Sequence, residues 1–283
     1  MAKIRIDLLL VERGLVESRA LAQRLVMAGQ VRANGELVFK PSDLVNQDWR
    51  LEIDGGPPYV SRGGEKLAAA LEAFGIPIAG LICADVGAST GGFTDCLLQN
   101  GAAKVYAIDV GHGVLHWKLR QDSRVVVMER TNARHVAGLP EPVQLVTVDA
   151  SFISLKILLP VIKEWLNPTP GPSPLAGRGV SPPVYGGGQG GVIALIKPQF
   201  EAGRKEAARG QGVVRVPEVH RQILRDVLNF AGQHGLLVRG LIRSPITGPK
   251  GNVEFLAWLT VGGADGVDIE TLIAAVTPSA PLQ

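Results

Sequence analysis

From residue 81 to residue 261, short apolar runs alternate with segments whose apolar positions recur every three or four residues. Short apolar runs are typical of buried strands, and the longer spacing is typical of amphipathic helices. The pattern predicts seven strands, at 81–85, 104–109, 125–128, 144–149, 191–197, 237–243 and 253–261. Strands that alternate with helices form a mostly parallel sheet with helices on both faces. We therefore expect an α/β fold, with the last two strands paired as an antiparallel hairpin at one edge.

The segment before residue 54 has a different pattern, with two short helical stretches followed by short strands. The apolar spacing predicts helices over 4–12 and 19–28. Asn34-Gly35 lies between two short apolar runs, which is a strong signal for a β-hairpin, and a further strand is expected at 50–53. These elements predict a small α+β unit that is large enough to fold alone.

Two stretches rich in Pro and Gly interrupt the chain. Residues 54–60 read DGGPPYV, which is typical of a linker, and a helix is expected to begin near Gly64. Residues 167–190 are rich in Pro, Gly and Ser, and this composition predicts a disordered insertion. We therefore predict a small domain over 3–60, linker included, and a second domain over 61–262.

Residues 81–98, LICADVGASTGGFTDCLL, combine a buried strand, a glycine-rich turn and the start of a helix. Such a turn brings backbone N–H groups close to a ligand. It lacks the G-x-G-x-x-G pattern of dinucleotide folds, but it matches the G-x-S-x-G nucleophile elbow around Ser89. It also matches the D-x-G-x-x-x-G-G turn of methyl-donor sites, from Asp85 to Gly92. The next strand ends in Asp109, roughly 20 residues past the turn, where an acidic residue binds ribose hydroxyls. This pairing favours a methyl donor over a hydrolase.

The composition is that of a soluble globular protein, with 46% hydrophobic residues, 19% charged residues and a net charge of +3. This charge is too small to indicate nucleic-acid binding by itself. Cys83 and Cys96 form neither a metal-binding spacing nor a disulfide framework, so no metal is expected. No apolar run reaches the roughly 18 residues of a membrane span, and the N-terminal run is too short for a signal peptide. We expect a cytoplasmic protein without stable membrane insertion.

Four polar side chains stand at strand ends or in apolar surroundings, namely Lys66, Asp149, Lys197 and Glu254. Each alone has an ordinary explanation, such as a structural ion pair between Asp149 and Lys197. Together they form a Lys-Asp-Lys-Glu order on a fold that binds a methyl donor, which favours one catalytic site. A lysine accepts a proton only in its neutral form, and a second lysine nearby favours that form.

Six motifs give the chain a close resemblance to a known family. They are YVSRGGEKL, DVGASTGGFTDCLL, WKLRQD, VDASFISL, LIKPQFE and SPITGPKGNVEF. With these motifs the chain resembles the TlyA family of RNA 2′-O-ribose methyltransferases, also known as hemolysin A, over residues 3–260 apart from the insertion. The second domain is similar to FtsJ-type methyltransferases, which implies a Rossmann-like sheet with helices on both faces. The segment RIDLLLVERGLVESRALAQRLVMAGQVRANGELVFKPS resembles the RNA-binding module of small-subunit ribosomal protein four.

The resemblance implies S-adenosyl-L-methionine as the cofactor and a cytidine of ribosomal RNA, within ribosomal subunits, as the substrate. It implies Lys197 as the base that takes the proton of the ribose 2′-hydroxyl, while Lys66, Asp149 and Glu254 position the base and the ribose. The residues expected to contact the cofactor are Asp85, Gly87, Ser89, Gly91, Gly92, Phe93, Asp109, Asn132 and Asp149. Those expected to contact RNA are Arg5, Arg19, Arg24, Lys40 and Arg62.

Three other functions stay open at this point. The chain could be an RNA-binding or ribosome-associated protein with an inactive methyltransferase domain, although the four polar residues favour activity. A membrane-active hemolysin would need a spanning or amphipathic segment, and the sequence contains none of sufficient length. A serine hydrolase at Ser89 would need a later Asp and a His, such as His220 or His234. The sequence does not indicate the oligomeric state.

Overall fold

The computed structural model describes residues 3–55, 57–166, 190–202, 212–248, 250–263 and 266–277. Contacts within the chain divide it into two units, Met1–Pro58 and Tyr59–Gln283. The insertion predicted at 167–190 lies outside the described residues except for Gly190.

The first unit contains two helices and five short strands. Its elements are β1 Lys3–Arg5, α1 Ile6–Glu12, α2 Arg19–Met27, β2 Val31–Ala33, β3 Glu36–Val38, β4 Leu44–Asn46 and β5 Leu51–Ile53. Strand β2 lies between β3 and β5 and is antiparallel to both, while β1 pairs with β4 in a separate ribbon. Apolar side chains of both helices and of β2, β4 and β5 form one core.

Local sequence explains most of this unit. Asn34 and Gly35 both have positive φ, at 55° and 89°, as a tight hairpin turn between β2 and β3 requires. Ser18 caps α2 by accepting a hydrogen bond from the N–H of Leu21 at 3.3 Å. The helix predicted over 4–12 begins only at Ile6, because the residues before it pair with β4 about forty positions away.

The second unit alternates strands with helices. Its elements are α3 Gly63–Phe74, β6 Ile82–Val86, α4 Gly92–Gln99, β7 Lys104–Ile108, α5 Trp117–Arg120, β8 Val125–Met128, a 3₁₀ turn Ala133–His135, β9 Leu145–Val148, α6 Leu155–Trp165, β10 Gly191–Ile196, α7 Pro198–Glu201, α8 Pro217–Gln233, β11 Leu236–Arg243, β12 Phe255–Val261 and α9 Ile269–Val276. All seven predicted strands are present, with ends shifted by at most two residues.

These seven strands form one sheet in the order β11-β12-β10-β9-β6-β7-β8. Strand β12 is antiparallel to both of its neighbours, and the other strand pairs are parallel. The predicted hairpin of the last two strands is therefore confirmed, and β11 forms the edge. Leucines and isoleucines of α6 and α8 cover one face of the sheet, and those of α3 and α4 cover the other. The α/β fold with helices on both faces is confirmed.

The antiparallel strand explains how distant segments meet at one edge of the sheet. Parallel strands β6, β7, β9 and β10 end at the same edge, and Asp109, Asp149 and Lys197 directly follow three of them. Because β12 runs in the opposite direction, its first residue, Phe255, pairs with Ile196 at the end of β10. Glu254 therefore joins the carboxyl edge although it precedes a strand. Ligands of open α/β sheets bind at this edge.

The sheet also requires a glycine at one buried position. Any Cβ at Gly191 would overlap the indole of Trp258, whereas a Cβ at Gly232 in α8 would meet nothing within 4 Å. We expect Gly191→Ala to lower the free energy of unfolding by about 1–3 kcal/mol through overpacking. Gly232→Ala, the matched control, should raise it by about 0.5–1 kcal/mol because alanine favours helix. Urea denaturation of both variants measures this, and equal effects would contradict the packing that we describe.

Candidate active site

The glycine-rich turn after β6 is packed against three other segments. Gly87 and Gly91 have φ of 84° and 98°. A Cβ on Gly87 would lie 2.6 Å from the main-chain oxygen of Asp149, and Cβ atoms on Gly91 and Gly92 would overlap Leu119 and Ser61. The glycines are therefore needed for close packing of the protein itself, and this packing shapes the space beside the turn.

Asp109 holds the turn in place. Its Oδ2 accepts a hydrogen bond from the N–H of Ser89 at 2.8 Å, and its Oδ1 accepts one from Gly111 at 2.6 Å. Ser89 itself has a positive φ of 49°, which a non-glycine residue rarely adopts. The carboxylate that sequence spacing assigns to a ribose thus also fixes the strained residue of the turn.

A cleft opens at the ends of β6, β7 and β9, and we call it the β7 cleft. Its polar lining consists of Ser89, Asp109, Thr131, Asn132, Asp149 and Ser151, and its apolar lining includes Val86, Ile108, Val110, Ile153 and Leu158. An apolar floor with a few converging polar groups suits a nucleoside. Asn132 is partly committed, because its Oδ1 accepts a hydrogen bond from the N–H of Arg134 at 3.2 Å.

A second cleft, the α3 cleft, lies on the other side of the turn. Its lining includes Ser61, Arg62, Gly63, Lys66, Phe93 and Thr247, and it shares Gly87, Ser89 and Asp149 with the β7 cleft. Phe93 is only 2% exposed and also packs in the core under α3 and α4. Asp149 therefore stands where the two clefts meet.

The four predicted polar residues form two ion pairs at this edge. Nζ of Lys66 lies 2.5 Å from Oε2 of Glu254, and Nζ of Lys197 lies 2.5 Å from Oδ1 of Asp149. Among the described residues, Oδ1 of Asp149 has no hydrogen-bond partner, so the second contact is an ion pair only. Glu254 is 1% exposed and both lysines are 8% exposed. Charges buried to this extent need partners, which each pair supplies.

Two further residues complete the pairs, and the sequence analysis missed both. Lys197 donates a hydrogen bond to Oγ of Ser151 at 3.0 Å and contacts the main-chain oxygen of Asp149 at 3.4 Å. The amide of Gln199 donates to Oε1 of Glu254 at 3.3 Å. Both residues belong to motifs that resemble the family, VDASFISL and LIKPQFE, but only the folded chain brings them to the charges.

Phe152 is a third residue that sequence patterns did not identify. Its side chain is 91% exposed, its φ is 63°, and it lines the β7 cleft next to Ser151. Its ring lies 4.9 Å from that of Phe200, at an angle of 50°. An apolar ring held on strained backbone beside polar groups is typical of a functional position.

Glu201 ties the loop after β9 to the helix after β10. Its carboxylate accepts hydrogen bonds from Oγ of Ser154 at 2.6 Å and from the N–H of Leu155 at 2.7 Å, the N-terminus of α6. Burial raises the pKa of this carboxyl above its usual value. The segments that carry Ser151 and Lys197 are therefore joined at two places.

Asp85 lies beneath the site and lines neither cleft. It is fully buried, and Thr94 and Thr147 donate hydrogen bonds to it at 2.7 Å and 3.2 Å. Burial raises the pKa of Asp85 to about 7, and the negative charge of nearby Asp149 contributes in the same direction. Asp85 thus supports the turn from below, where the sequence analysis expects a direct cofactor contact.

The residues expected to contact RNA lie in different surroundings. Arg24 and Lys40 are exposed on the first unit. Arg5 and Arg19 both bind the carboxylate of Asp7. Arg62 lines the α3 cleft of the second unit.

A serine hydrolase finds no support in this geometry. The side chains of His220 and His234 bond to the main-chain oxygens of Val214 and Phe230, and no histidine lines either cleft among the described residues. In the part of the chain that the structure describes, none of the helices has the length and apolar character needed to cross a bilayer.

Residues 59–261 match the FtsJ-like methyltransferase family, and residues 4–48 match the S4 domain. The chain belongs to the FtsJ-like methyltransferase family. TlyA of Mycobacterium tuberculosis, a 16S/23S rRNA (cytidine-2′-O)-methyltransferase, is 43% identical over 261 residues, which are 91% of this chain and 90% of TlyA. Hemolysin A of Brachyspira hyodysenteriae is 38% identical over 257 residues, 90% of this chain and 98% of its own length.

Solved structures agree with this assignment. A candidate hemolysin from Streptococcus thermophilus has a TM-score of 0.67 and 41% identity, and the match covers 97% of this chain and 96% of that one. The resemblance to the TlyA group of FtsJ-like methyltransferases is confirmed, and so is S-adenosyl-L-methionine as the cofactor of this methyltransferase. The lining of the β7 cleft fits such a cofactor, since it offers an apolar floor and the Asp109 carboxylate.

The raised pKa of Asp85 predicts that the free energy of unfolding decreases as the pH rises towards neutral. Its pKa rises from 3.8 to about 7 on folding, so its contribution is present below about pH 4 and is lost as the pH rises through 7. We expect this group to lower the free energy of unfolding of the methyltransferase by up to about 1.4 kcal/mol per pH unit between about pH 5 and pH 7, and the decline to level off above about pH 7.5. Asp85→Asn should remove that component, as chemical denaturation at several pH values would measure.

Asp122→Asn is the control for this prediction. Arg124 holds the pKa of Asp122 below its usual value, so Asp122 stays ionised across the same range. Its substitution should therefore leave the slope of stability against pH unchanged. A slope that is the same in the parent protein and in Asp85→Asn would contradict the raised pKa.

Proposed function

We propose that this chain methylates the ribose 2′-hydroxyl of a cytidine in ribosomal RNA, within ribosomal subunits in the cytoplasm. The observation that carries the proposal is the pairing of Lys197 with Asp149 and of Lys66 with Glu254, with Asp149 at the meeting point of two clefts. The rRNA methyltransferase activity of the TlyA relative supports it. We also propose residues 3–60 as the RNA-binding domain and 61–262 as the catalytic domain.

The cofactor S-adenosyl-L-methionine supplies a methyl group on a positively charged sulfur when it is bound. We assign the β7 cleft to its nucleoside, with Asp109 on the ribose hydroxyls and Asn132 on the adenine edge. We assign its amino-acid end to the α3 cleft, which Gly87, Ser89, Gly92 and Phe93 line. Gly91 lies in the same turn and stays a proposed contact. Asp85 acts through the turn and not by contact.

Lys197 is the residue that we assign as the base. An ammonium donates three hydrogen bonds, and Nζ of Lys197 has three oxygen neighbours, on the Asp149 side chain, the Asp149 main chain and Ser151. As an ammonium, the nitrogen has no lone pair with which to accept a proton. To take the proton of a 2′-hydroxyl, Lys197 must first lose a proton and exchange one of these contacts for the ribose. Ser151 is the exchangeable neighbour, since it is exposed to the cleft.

Lys66 and Glu254 position this site from the side of α3 and β12. Breaking a buried ion pair by removing one partner leaves an uncompensated charge and costs roughly 3–5 kcal/mol. The pair therefore holds Lys66 and Glu254 in fixed positions at this edge of the sheet. Much of the rate then comes from alignment of the hydroxyl with the methyl group.

The RNA contacts that we propose are electrostatic. Arg5, Arg19, Arg24 and Lys40 bind phosphates through the S4 domain, and Arg62 binds a phosphate at the mouth of the α3 cleft. Contacts to phosphates position RNA without reading its sequence, so the choice of nucleotide rests on other groups. Phe152, exposed beside the reacting groups, is placed to stack on a base.

The test is transfer of labelled methyl groups to purified 30S and 50S subunits, followed by mapping of the labelled nucleotide. We expect label on a cytidine 2′-oxygen with the parent protein. Lys197→Ala should reduce the transfer rate by roughly 10²–10⁴-fold while calorimetry still shows cofactor binding, since a base contributes about that factor. Lys104→Ala is the matched control, because Lys104 begins β7 at the opposite edge of the sheet.

Each outcome separates one part of the proposal. Full transfer by Lys197→Ala would show that another group takes the proton. A parent protein that binds the cofactor and both subunits but labels neither RNA would mean that the chain is an RNA-binding protein and not an rRNA methyltransferase. Label on another nucleotide would overturn the cytidine assignment alone.

A further inference from the structure

Asp7 is a carboxylate in the core of the S4 domain that no step of the proposed reaction uses. It lies in the first turn of α1 and is 0% exposed. Three side chains donate hydrogen bonds to it: Nε and Nη2 of Arg5 at 3.0 and 2.9 Å, Nε of Arg19 at 3.0 Å, and Nε2 of Gln23 at 2.9 Å. A single buried carboxylate on α1 thus joins two donors from α2 and one from the residue before α1.

The two arginines at this carboxylate are not buried with it. Their side chains remain 37% exposed for Arg5 and 51% exposed for Arg19. Asp7 binds only Nε of Arg19, so both Nη groups of that guanidinium lie outside the contact. One negative and two positive charges leave an excess of one positive charge at the surface.

This arrangement fixes two long side chains before any ligand arrives. Arginine loses considerable rotamer freedom when it is held in one geometry, and a free arginine loses it on binding. Here the hydrogen bonds to Asp7 impose the loss during folding. Planar guanidinium groups held side by side match the oxygens of a phosphate.

We propose that Asp7 is a positioning residue that holds Arg5 and Arg19 as a preformed clamp for a phosphate of the RNA backbone. The proposal rests on the proposed function, in which this unit binds ribosomal RNA. Asp7 itself touches no RNA and acts through the two guanidinium groups.

The loss of the Asp7 charge and the loss of its hydrogen bonds to the arginines predict opposite effects of Asp7→Asn on binding to RNA. The substitution removes a negative charge, so electrostatics alone would strengthen binding to RNA. It also replaces one acceptor oxygen by an NH2 group, which only donates, so the amide cannot keep all four N–H contacts and the loss of the clamp would weaken binding. We expect weakening, by about tenfold for two released side chains.

The experiment measures equilibrium binding to purified 30S and 50S subunits over a range of salt concentrations, together with kcat and KM for methyl transfer. For Asp7→Asn we expect a Kd and a KM about tenfold higher, with kcat and cofactor affinity unchanged. Glu36→Gln is the control, because Glu36 is exposed on β3 and the substitution changes the charge by the same amount. It should leave the Kd unchanged or lower it.

A partly unfolded S4 domain would also raise the Kd, so a second background separates the two causes. In Arg5→Ala/Arg19→Ala protein, adding Asp7→Asn should change the Kd by less than about twofold if Asp7 acts through those arginines. A large additional loss there would mean that the contacts of Arg24 and Lys40 are lost too, and would overturn the positioning role. So would tighter or unchanged binding by Asp7→Asn alone. Failure of the parent protein to bind either subunit would instead overturn the proposed function.

Discussion

The close approach of the β6 and β9 ends is the constraint on which the site depends. These neighbouring parallel strands end side by side, and Gly87 turns away with a positive φ directly against the main chain of Asp149. A side chain at position 87 would push the two loops apart. Because they touch, Asp149 stands at the border of both clefts.

The four charged side chains at this border are neutralised by each other in two ion pairs, and water reaches them little. Two lysines and two carboxylates are drawn from α3, the β9 loop, the end of β10 and the start of β12, and they meet only because β12 runs against the rest of the sheet. A buried ion pair contributes little to the net free energy of folding, but removing one of its two members is strongly destabilising. The two ion pairs therefore fix the positions of the four charged side chains in the site.

The sequence predicts the strands of the sheet well, but it does not predict which side chains meet in the site. Apolar runs located all seven strands of the sheet because the inner strands are buried on both faces and the edge strands β8 and β11 are still largely apolar. Asn34-Gly35 located its hairpin because few residues allow that turn. Strands β1 and β4 were both missed because each has only three residues and the two are remote from each other in sequence. The four charged residues could be selected by their apolar surroundings, whereas Ser151 and Gln199 could not, since a polar residue after a strand is ordinary until its neighbour is known. The spacing around Asp85 likewise does not reveal that its side chain is fully buried.

Glu201 links two segments of the site, the loop after β9 and the helix after β10. It bonds to the start of α6 while its own helix follows Lys197 directly, so the loop with Ser151 and Phe152 and the segment with Lys197 are fastened together. Lys197 and Ser151 therefore lie on segments that three hydrogen bonds hold together. Any displacement of this edge of the sheet would therefore preserve the distance between Lys197 and Ser151.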